Sequence, residues 1–320
     1  NMNILVTGGC GFIGSHFIEE FIDRPDVENI VNIDCLTYAA NKNLPFEANS
    51  KYHHYQYDIS KDSILSLLKS YNIDHIIHFA AESHVDNSIH DSTPFIQTNI
   101  IGTHKILSDL LEYKQQKNFR FVHVSTDEVY GTLSYKESAF TVDTPYKPNS
   151  PYAASKAASD LLVRSFVKTY KLPAIITNCS NNFGPRQFPE KMIPLCIERL
   201  KKKEPIPLYG TGQNIRDWIY VKDHVRALWK VLREGTIGKQ YLIGGENEIT
   251  NFELIHCIKD YYKSITGIDP EGWEWFKYVE DRKGHDYRYA IDITDFKLEF
   301  SKLELTEFRQ SLSDTIKSYL

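Results

Sequence analysis

The chain has 320 residues, of which 42% are hydrophobic, so it is long enough to bury a large core in two domains or in one elaborated domain. Its net charge of −5 gives no electrostatic reason to expect a nucleic acid or an anionic membrane surface as a partner. No apolar run is long enough for a membrane span, no charged and apolar leader opens the sequence, and the five cysteines have unrelated spacings. We therefore expect a cytoplasmic protein with reduced thiols and no metal site.

The first predicted unit is a strand, a glycine loop and a helix. Residues 3–7 are apolar, and the loop after them carries the glycines of two related dinucleotide-binding spacings, Gly8, Gly9, Gly11 and Gly14. A helical pattern follows, with its apolar residues on one face. Glycines let the backbone approach a pyrophosphate closely, and the N-terminus of the helix supplies N–H groups and positive potential. The unit therefore predicts a dinucleotide site.

Acidic or small residues end the next three predicted strands, which lie at 29–33, 52–57 and 75–79. Asp34 ends the first of them, twenty residues beyond Gly14, where an acid binds ribose hydroxyls and repels a 2′-phosphate. This spacing favours NAD over NADP. Asp58 ends the second, ahead of a predicted helix at 61–70, and is a candidate contact for the adenine edge. Ala80 and Ala81 follow the third and leave room for a cofactor.

Four reactive side chains, those of Asp127, Glu128, Tyr152 and Lys156, are expected to converge on one cleft. A predicted helix at 94–116 and a strand at 119–124 lead into the polar run Ser125-Thr126-Asp127-Glu128. Because ligands of open α/β sheets bind beyond the carboxyl ends of the strands, this run should face a substrate. A helix at about 151–170 then places Tyr152 and Lys156 on one face, four residues apart.

The second half of the chain is richer in Pro, Trp and Tyr and has no glycine fingerprint. A strand at 174–178 leads to Asn181. The guanidinium group of Arg216 is always charged, and its paired N–H donors suit a diphosphate. A helix from 221 to 232 is expected to return to the first lobe. We therefore predict an α/β fold, a Rossmann-type doubly wound parallel sheet with a smaller C-terminal substrate-binding lobe. The predicted domains are an NAD-binding domain at 2–180, with a return segment near 214–244, and a nucleotide-sugar-binding lobe at 181–320.

Several motifs resemble those of the extended short-chain dehydrogenase/reductase family, in its nucleotide-sugar-modifying group. They are the glycine loop at 7–15, Tyr152-x-x-x-Lys156 and the Rossmann alternation between them. The segments 80–86, 125–131, 178–187 and 281–286 are similar to the branch of 4,6-dehydratases that acts on dTDP-glucose. The resemblance covers nearly the whole chain. It implies an NAD-dependent hydro-lyase reaction, in which hydride leaves C4, water is lost across C5 and C6, and hydride returns to C6.

The resemblance also implies roles for five catalytic residues. Tyr152 takes the proton of the C4 hydroxyl, Lys156 stabilises the phenolate together with an oxidised nicotinamide, and Thr126 hydrogen-bonds the C4 oxygen. Glu128 then removes the C5 proton. Asp127 protonates the departing hydroxyl, which requires the two adjacent carboxyls to hold different protonation states. The residue types alone would allow the reverse assignment of acid and base.

The remaining site predictions are two sets of binding residues. The predicted contacts of NAD are Gly8, Gly11, Phe12, Ile13, Gly14, Asp34, Asp58, Ile59, Ala80, Ala81, Asn99, Tyr152 and Lys156. The predicted contacts of a dTDP-hexose substrate are Ser83, Asn181, Lys191, Arg216, Asn251, Arg282 and His285. The resemblance further implies a homodimer, formed through the helices near 94–116 and 151–170, and a place in rhamnose biosynthesis.

Two other functions stay open on the sequence alone. A UDP-sugar 4-epimerase shares the fold, NAD and the Tyr/Lys pair, but it needs no acid–base couple at C5 and C6, so Asp127 and Glu128 count against it. A non-catalytic NAD-binding protein would keep the glycine loop but would have no use for Tyr152 and Lys156. Thymine and uracil are not distinguished, because base selection depends on the shape of the pocket.

Overall fold

Seven parallel strands form the main sheet of the structure, a computed structural model that describes residues 1–36, 40–81, 85–301 and 303–320. The strands of the chain are β1 (Met2–Thr7), β2 (Val27–Ile33), β3 (Tyr52–Tyr55), β4 (His75–His78), β5 (Arg120–Thr126), β6 (Ala174–Cys179), β7 (Asn181–Phe183), β8 (Ile206–Tyr209), β9 (Ile215–Tyr220), β10 (Gln240–Ile243), β11 (Glu248–Thr250) and β12 (Phe276–Val279). The order across the main sheet is β3-β2-β1-β4-β5-β6-β10, and each neighbouring pair is parallel. The predicted Rossmann-type sheet is confirmed, with its switch point between β1 and β4.

Helices cover both faces of this sheet, and others belong to a smaller lobe. The helices of the chain are α1 (Phe12–Phe21), α2 (Leu65–Ser70), α3 (Val85–His90), α4 (Thr93–Phe95), α5 (Thr103–Tyr113), α6 (Pro151–Tyr170), α7 (Met192–Lys202), α8 (Val221–Glu234), α9 (Asn251–Thr266), α10 (Thr294–Glu299) and α11 (Phe308–Ser318). Helices α1 and α8 pack on one face, and α2, α5 and α6 pack on the other. The central strands are buried along their whole length, as expected for a sheet that is covered on both sides.

A smaller lobe is built around two short sheets. Strands β7, β9 and β11 form one sheet, β8 and β12 form the other, and α7, α9 and α11 pack against them. The buried centre of this lobe includes Phe183, Trp218, Leu254 and Leu312. Within the predicted return segment at 214–244, β9 pairs in the smaller lobe, whereas α8 and β10 join the main sheet.

Most predicted elements appear with small shifts at their ends, and two of them differ in a way that the structure explains. The helix predicted at 61–70 begins at Leu65, since the Asp109 carboxylate accepts a hydrogen bond from the Ile64 N–H (2.9 Å) and the residues before it form a turn. The helix predicted at 94–116 runs from α4 to α5 through π-helical turns at Ile96–Gly102. Helix α6 occupies its predicted range. None of the described helices is both long and apolar enough to span a membrane.

Candidate active site

A cavity of about 540 Å³ opens between the carboxyl edge of the main sheet and the smaller lobe, a size typical of ligand sites. Twenty of the predicted site residues line it: Gly8, Gly11, Phe12, Ile13, Gly14, Asp34, Asp58, Ile59, Ala80, Ala81, Thr126, Glu128, Tyr152, Lys156, Asn181, Lys191, Arg216, Asn251, Arg282 and His285. Asp127 and Asn99 lie behind the cavity wall. Ser83 lies outside the described residues.

The glycine loop forms a cradle that larger residues would fill. Gly8 has a φ of +77°, and a Cβ there would lie 2.8 Å from the backbone of Ala80. A Cβ on Gly14 would lie 2.4 Å from the Gly8 carbonyl oxygen. The loop therefore has backbone without Cβ atoms at the start of α1. A pyrophosphate bound there would contact backbone N–H groups at the positive end of the helix dipole. This geometry fits the predicted dinucleotide.

Asp34 stands at the end of β2, beside this loop. Its carboxylate accepts hydrogen bonds from the N–H groups of Cys10 (2.9 Å) and Leu36 (2.8 Å), which fixes its position against the loop. Since a carboxylate has about four acceptor positions, Asp34 retains acceptors for ribose hydroxyls. Asn99, which is predicted to contact NAD, is buried, and its amide donates a hydrogen bond to the Ser155 hydroxyl of α6 (2.9 Å).

The strand β5 delivers the acidic pair. At its end the Thr126 hydroxyl accepts a hydrogen bond from the Glu128 N–H (3.2 Å) and caps a 3₁₀ turn over Asp127–Tyr130. This turn directs the Glu128 side chain into the cavity, whereas Asp127 is only 1% exposed. Both carboxyls are thus withdrawn from bulk water, next to α6.

The environments of these two acids differ. Burial, followed by the charges of Glu128 and Asp217, raises the pKa of Asp127 well above its ordinary value. Burial also raises the pKa of Glu128, but the nearby cations Arg216 and Lys191 oppose the increase. Arg216 lowers the pKa of Asp127 as well, but the acids beside Asp127 oppose it, so the two carboxyls lie in differently charged surroundings. Surroundings that differ in this way are what an acid and a base at one site require.

Helix α6 presents Tyr152 and Lys156 to the same cavity. The helix starts at Ser150, whose hydroxyl accepts a hydrogen bond from the Ala153 N–H (3.0 Å). The Lys156 ammonium donates to the Val124 carbonyl oxygen (3.1 Å), and burial lowers the pKa of this lysine. Burial, followed by the charge of Glu128, raises the pKa of Tyr152. The protein groups alone therefore hold Tyr152 as a neutral phenol, whereas the sequence suggested that Lys156 helps to favour the phenolate.

Arg216 reaches the cavity from β9 of the smaller lobe. Its guanidinium donates to the carbonyl oxygens of Ile215 and Asp286 (both 2.9 Å) and stacks on the Tyr289 ring, 4.3 Å from the ring centroid. The Tyr289 hydroxyl donates to Asp286 and lies 3.5 Å from Glu128 Oε1. The sequence analysis missed Tyr289, which belongs to an irregular segment without a periodic pattern.

Other polar groups of the smaller lobe gather beside Arg216. Asn251 is the first residue of α9, after the capping Thr250, and among the described residues nothing bonds its buried Oδ1. His285 Nδ1 lies 2.6 Å from Asp281 Oδ1, and burial, followed by the charge of Arg282, lowers the pKa of His285. Lys191 stands just before α7. This half of the cavity is polar and cationic, which suits a nucleoside diphosphate.

The chain is similar to characterised proteins over its whole length. A family profile described as GDP-mannose 4,6 dehydratase matches residues 5–314. A dTDP-glucose 4,6-dehydratase of Neisseria gonorrhoeae is 45% identical over 99% of this chain and 95% of its own length. The dTDP-glucose 4,6-dehydratase of Streptomyces venezuelae, solved with NAD bound, is 41% identical, with a TM-score of 0.90 over 99% of this chain and 97% of that structure. A Thermotoga maritima UDP-glucose 4-epimerase has a TM-score of 0.87 but only 26% identity, over 99% of this chain and 98% of that structure.

The raised pKa of Asp127 predicts how stability depends on pH. A carboxyl whose pKa is higher in the folded state stabilises the fold at low pH, and this contribution is lost as the pH rises through the folded-state pKa. Asp127→Asn removes the ionisation. We expect the variant to gain stability relative to the parent as the pH rises from 5, by up to about 1.4 kcal/mol per pH unit until the folded-state pKa is reached, above which the difference stays constant. Thermal unfolding at each pH measures the difference.

Asp26→Asn is the matched control for this measurement. Its hydrogen bond from Arg24 lowers the pKa of Asp26, so the contribution of this carboxylate changes only in acid, below the tested range. The difference between Asp26→Asn and the parent should stay constant from pH 5 to pH 9. A pH-independent difference for Asp127→Asn as well would show that Asp127 is already ionised in the fold.

Proposed function

The chain belongs to the dTDP-glucose 4,6-dehydratase family, and we propose that its cavity converts dTDP-glucose into dTDP-4-keto-6-deoxyglucose with NAD as cofactor. The observation that carries this proposal is the Asp127–Glu128 pair, in which one acid is buried and the other lines the cavity, in differently charged surroundings beside Tyr152. An epimerase that only oxidises and reduces C4 needs no such couple, and a protein that only binds NAD needs neither the couple nor Tyr152.

The first stage is oxidation at C4. When bound in the glycine-loop half of the cavity, NAD supplies a reversible hydride acceptor that takes hydride from C4 and later returns it to C6. Tyr152 takes the proton of the C4 hydroxyl, and Thr126 hydrogen-bonds the C4 oxygen. The positive charges of Lys156 and of the oxidised cofactor offset the burial that keeps Tyr152 neutral in the protein alone.

The second stage is the loss of water across C5 and C6. A C4 ketone acidifies the C5 hydrogen, so a carboxylate is a strong enough base to remove it. We assign this step to Glu128, which lines the cavity and whose ionised form Arg216 and Lys191 favour. We assign protonation of the departing C6 hydroxyl to Asp127, since burial and two neighbouring acids keep its proton in place. The structure thus supplies a physical reason for the role assignment that the residue types left open.

The two ligands divide the cavity between the lobes. We propose that the main-sheet unit, residues 2–180 together with α8 and β10, holds NAD through the glycine loop, Asp34, Asp58 and the Ala80–Ala81 wall. The smaller lobe holds the dTDP part through the cationic and amide groups described above, Asn181, Lys191, Arg216, Asn251, Arg282 and His285. The hexose then lies between them, against β5 and α6.

The setting of the reaction follows from chemistry and composition. A 4-keto-6-deoxyhexose is a precursor of 6-deoxysugars, and we propose that the product enters rhamnose biosynthesis. The free thiols of Cys10, Cys179, Cys196 and Cys257 fit a reducing compartment, and we place the protein in the cytoplasm.

We also propose a homodimer. Ile96, Ile101, Leu161 and Tyr170 are 41–55% exposed on the π-helical segment and on α6, which pack side by side. Apolar side chains that cluster on neighbouring helices mark an interaction surface. A second copy of the same two helices would cover the cluster and complete a four-helix bundle.

The product of the reaction tests the proposed function. The purified protein, incubated with dTDP-glucose, should release dTDP-4-keto-6-deoxyglucose, identified by NMR and mass spectrometry through the loss of one water. UDP-glucose and UDP-galactose serve as parallel substrates. A C4 epimer of a UDP-sugar would replace the proposal with the epimerase, and recovery of every sugar nucleotide unchanged would favour a protein that only binds NAD.

Glu128→Gln tests the elimination step. The amide keeps the size of the side chain but is not a base, so kcat for dehydration should fall by at least about 100-fold. NAD content should stay unchanged, and the absorbance of reduced nicotinamide should build up, because oxidation at C4 does not need Glu128. Glu28→Gln, at an exposed position far from the cavity, should keep normal turnover. Normal turnover by Glu128→Gln would remove this residue from the mechanism.

Leu161→Lys tests the dimer. A charge at the centre of the apolar cluster should prevent association, so light scattering should give the monomer mass of 37.1 kDa in place of twice that value. Leu298→Lys is the control, since Leu298 is 77% exposed on α10, away from the cluster. A Leu161→Lys protein that keeps the dimer mass would place the interface elsewhere.

A further inference from the structure

Lys156 is a cation in a place that disfavours charge. Its side chain is 4% exposed, and its ammonium donates to one carbonyl oxygen, that of Val124. A buried ammonium is costly unless an opposite charge and further polar groups compensate it. The proposed reaction requires the charged form, so a source of compensation must exist nearby.

Asp160 lies one helical turn beyond Lys156 on α6 and is 1% exposed. Its Oδ2 accepts hydrogen bonds from the Tyr146 hydroxyl (2.8 Å) and the Asn178 amide (3.1 Å). Its Oδ1 accepts from His123 Nε2 (3.1 Å). Donors from β5, from β6 and from the loop before α6 thus hold one carboxylate in place beneath the cavity, where it touches neither the cavity wall nor bulk water.

The other titratable groups around Lys156 are neutral. His123 on β5 and His78 on β4 both have their pKa lowered by burial, so neither is a second cation. Burial raises the pKa of Cys179 on β6 to about 12 and raises the pKa of Tyr152 on α6 itself. Within the described part of the chain, Asp160 is the group in this cluster that is suited to carry the negative charge.

We propose that Asp160 is the buried counter-ion of Lys156, a positioning residue that keeps the ammonium charged although it is withdrawn from water. The inference rests on the proposed function only in assigning that charge to catalysis. Asp160 does not touch the substrate or the cofactor. It acts through Lys156, and its three hydrogen-bond donors stop it from moving away from the ammonium.

The pH profile of turnover is the first test. The Asp160 charge raises the pKa of Lys156 against the effect of burial, so Asp160→Asn should move the alkaline limb of the kcat profile toward neutral pH, by about one unit. Asp160 also raises the pKa of Tyr152, but by less than the other groups that raise it. The acid limb of the kcat profile should therefore also move to lower pH, by less than the alkaline limb. The bell-shaped pH profile of kcat should therefore be narrower in Asp160→Asn than in the parent.

Tyr146→Phe is the matched control. It removes one neutral donor from Asp160 and leaves the charge, so both limbs should stay in place even where kcat falls. An Asp160→Asn protein that folds, retains NAD and keeps the alkaline limb of the parent would overturn the proposal. A parent protein without dehydratase activity would instead refute the proposed function, and the second test does not depend on that activity.

The second test is a double-mutant cycle in thermal unfolding. Lys156→Met leaves a buried anion and Asp160→Asn leaves a buried cation, whereas the double variant leaves neither. We expect the double variant to melt above both single variants. Rescue of a poorly folded Asp160→Asn by Lys156→Met would also support the pairing. The proposal would be overturned if the losses of melting temperature in the two single variants added up in the double variant. It would also be overturned if Asp160→Asn lowered the melting temperature equally with and without Lys156, since Asp160 would then be a structural residue.

Discussion

Withdrawal of ionisable groups from water is the constraint on which the rest of this structure depends. For Asp127, Glu128, Tyr152 and Lys156, burial is the largest influence on the pKa, and in each case it favours the neutral form. If all four groups were neutral, the site would have neither a carboxylate base nor a charged lysine on α6. The charges placed around them therefore decide which groups ionise, and the architecture determines where those charges stand.

The smaller lobe supplies the difference between the two acids. Strand β9 carries Arg216 and Asp217 side by side, and neighbouring residues of a strand point to opposite faces. Arg216 enters the cavity and favours ionised Glu128, whereas Asp217, held by the N–H groups of Gly245 and Asn247, adds to the charge that disfavours ionised Asp127. Strand β5 brings the acids to the cavity, but charges from the smaller lobe make their surroundings different.

Local sequence predicted the parts of the site that local structure determines. The glycine loop needs only its own spacing, and Tyr152 and Lys156 need only one helical turn, so both were found, as was the Rossmann-type sheet. Tyr289 was missed because its place beside Glu128 results from an irregular segment folding back across the cavity. The hydrogen bond from the Asn99 amide to Ser155 was not predicted either, because it joins the π-helical segment to α6. Contacts that depend on long-range packing leave no periodic signal in the chain.

The same long-range packing connects the base of the proposed reaction to its cofactor. Burial and the charge of Glu128 keep Tyr152 protonated in the protein alone, while the Lys156 ammonium is fixed at Val124. Tyr152 therefore becomes a base only when a further positive charge lies beside it, as it does next to an oxidised nicotinamide. In the proposed reaction a bound, oxidised NAD would supply that charge, and after its reduction burial would again favour the neutral phenol, so Tyr152 would keep the proton that it accepts. The low polarity of the site would thus tie the basicity of Tyr152 to the charge of the bound cofactor.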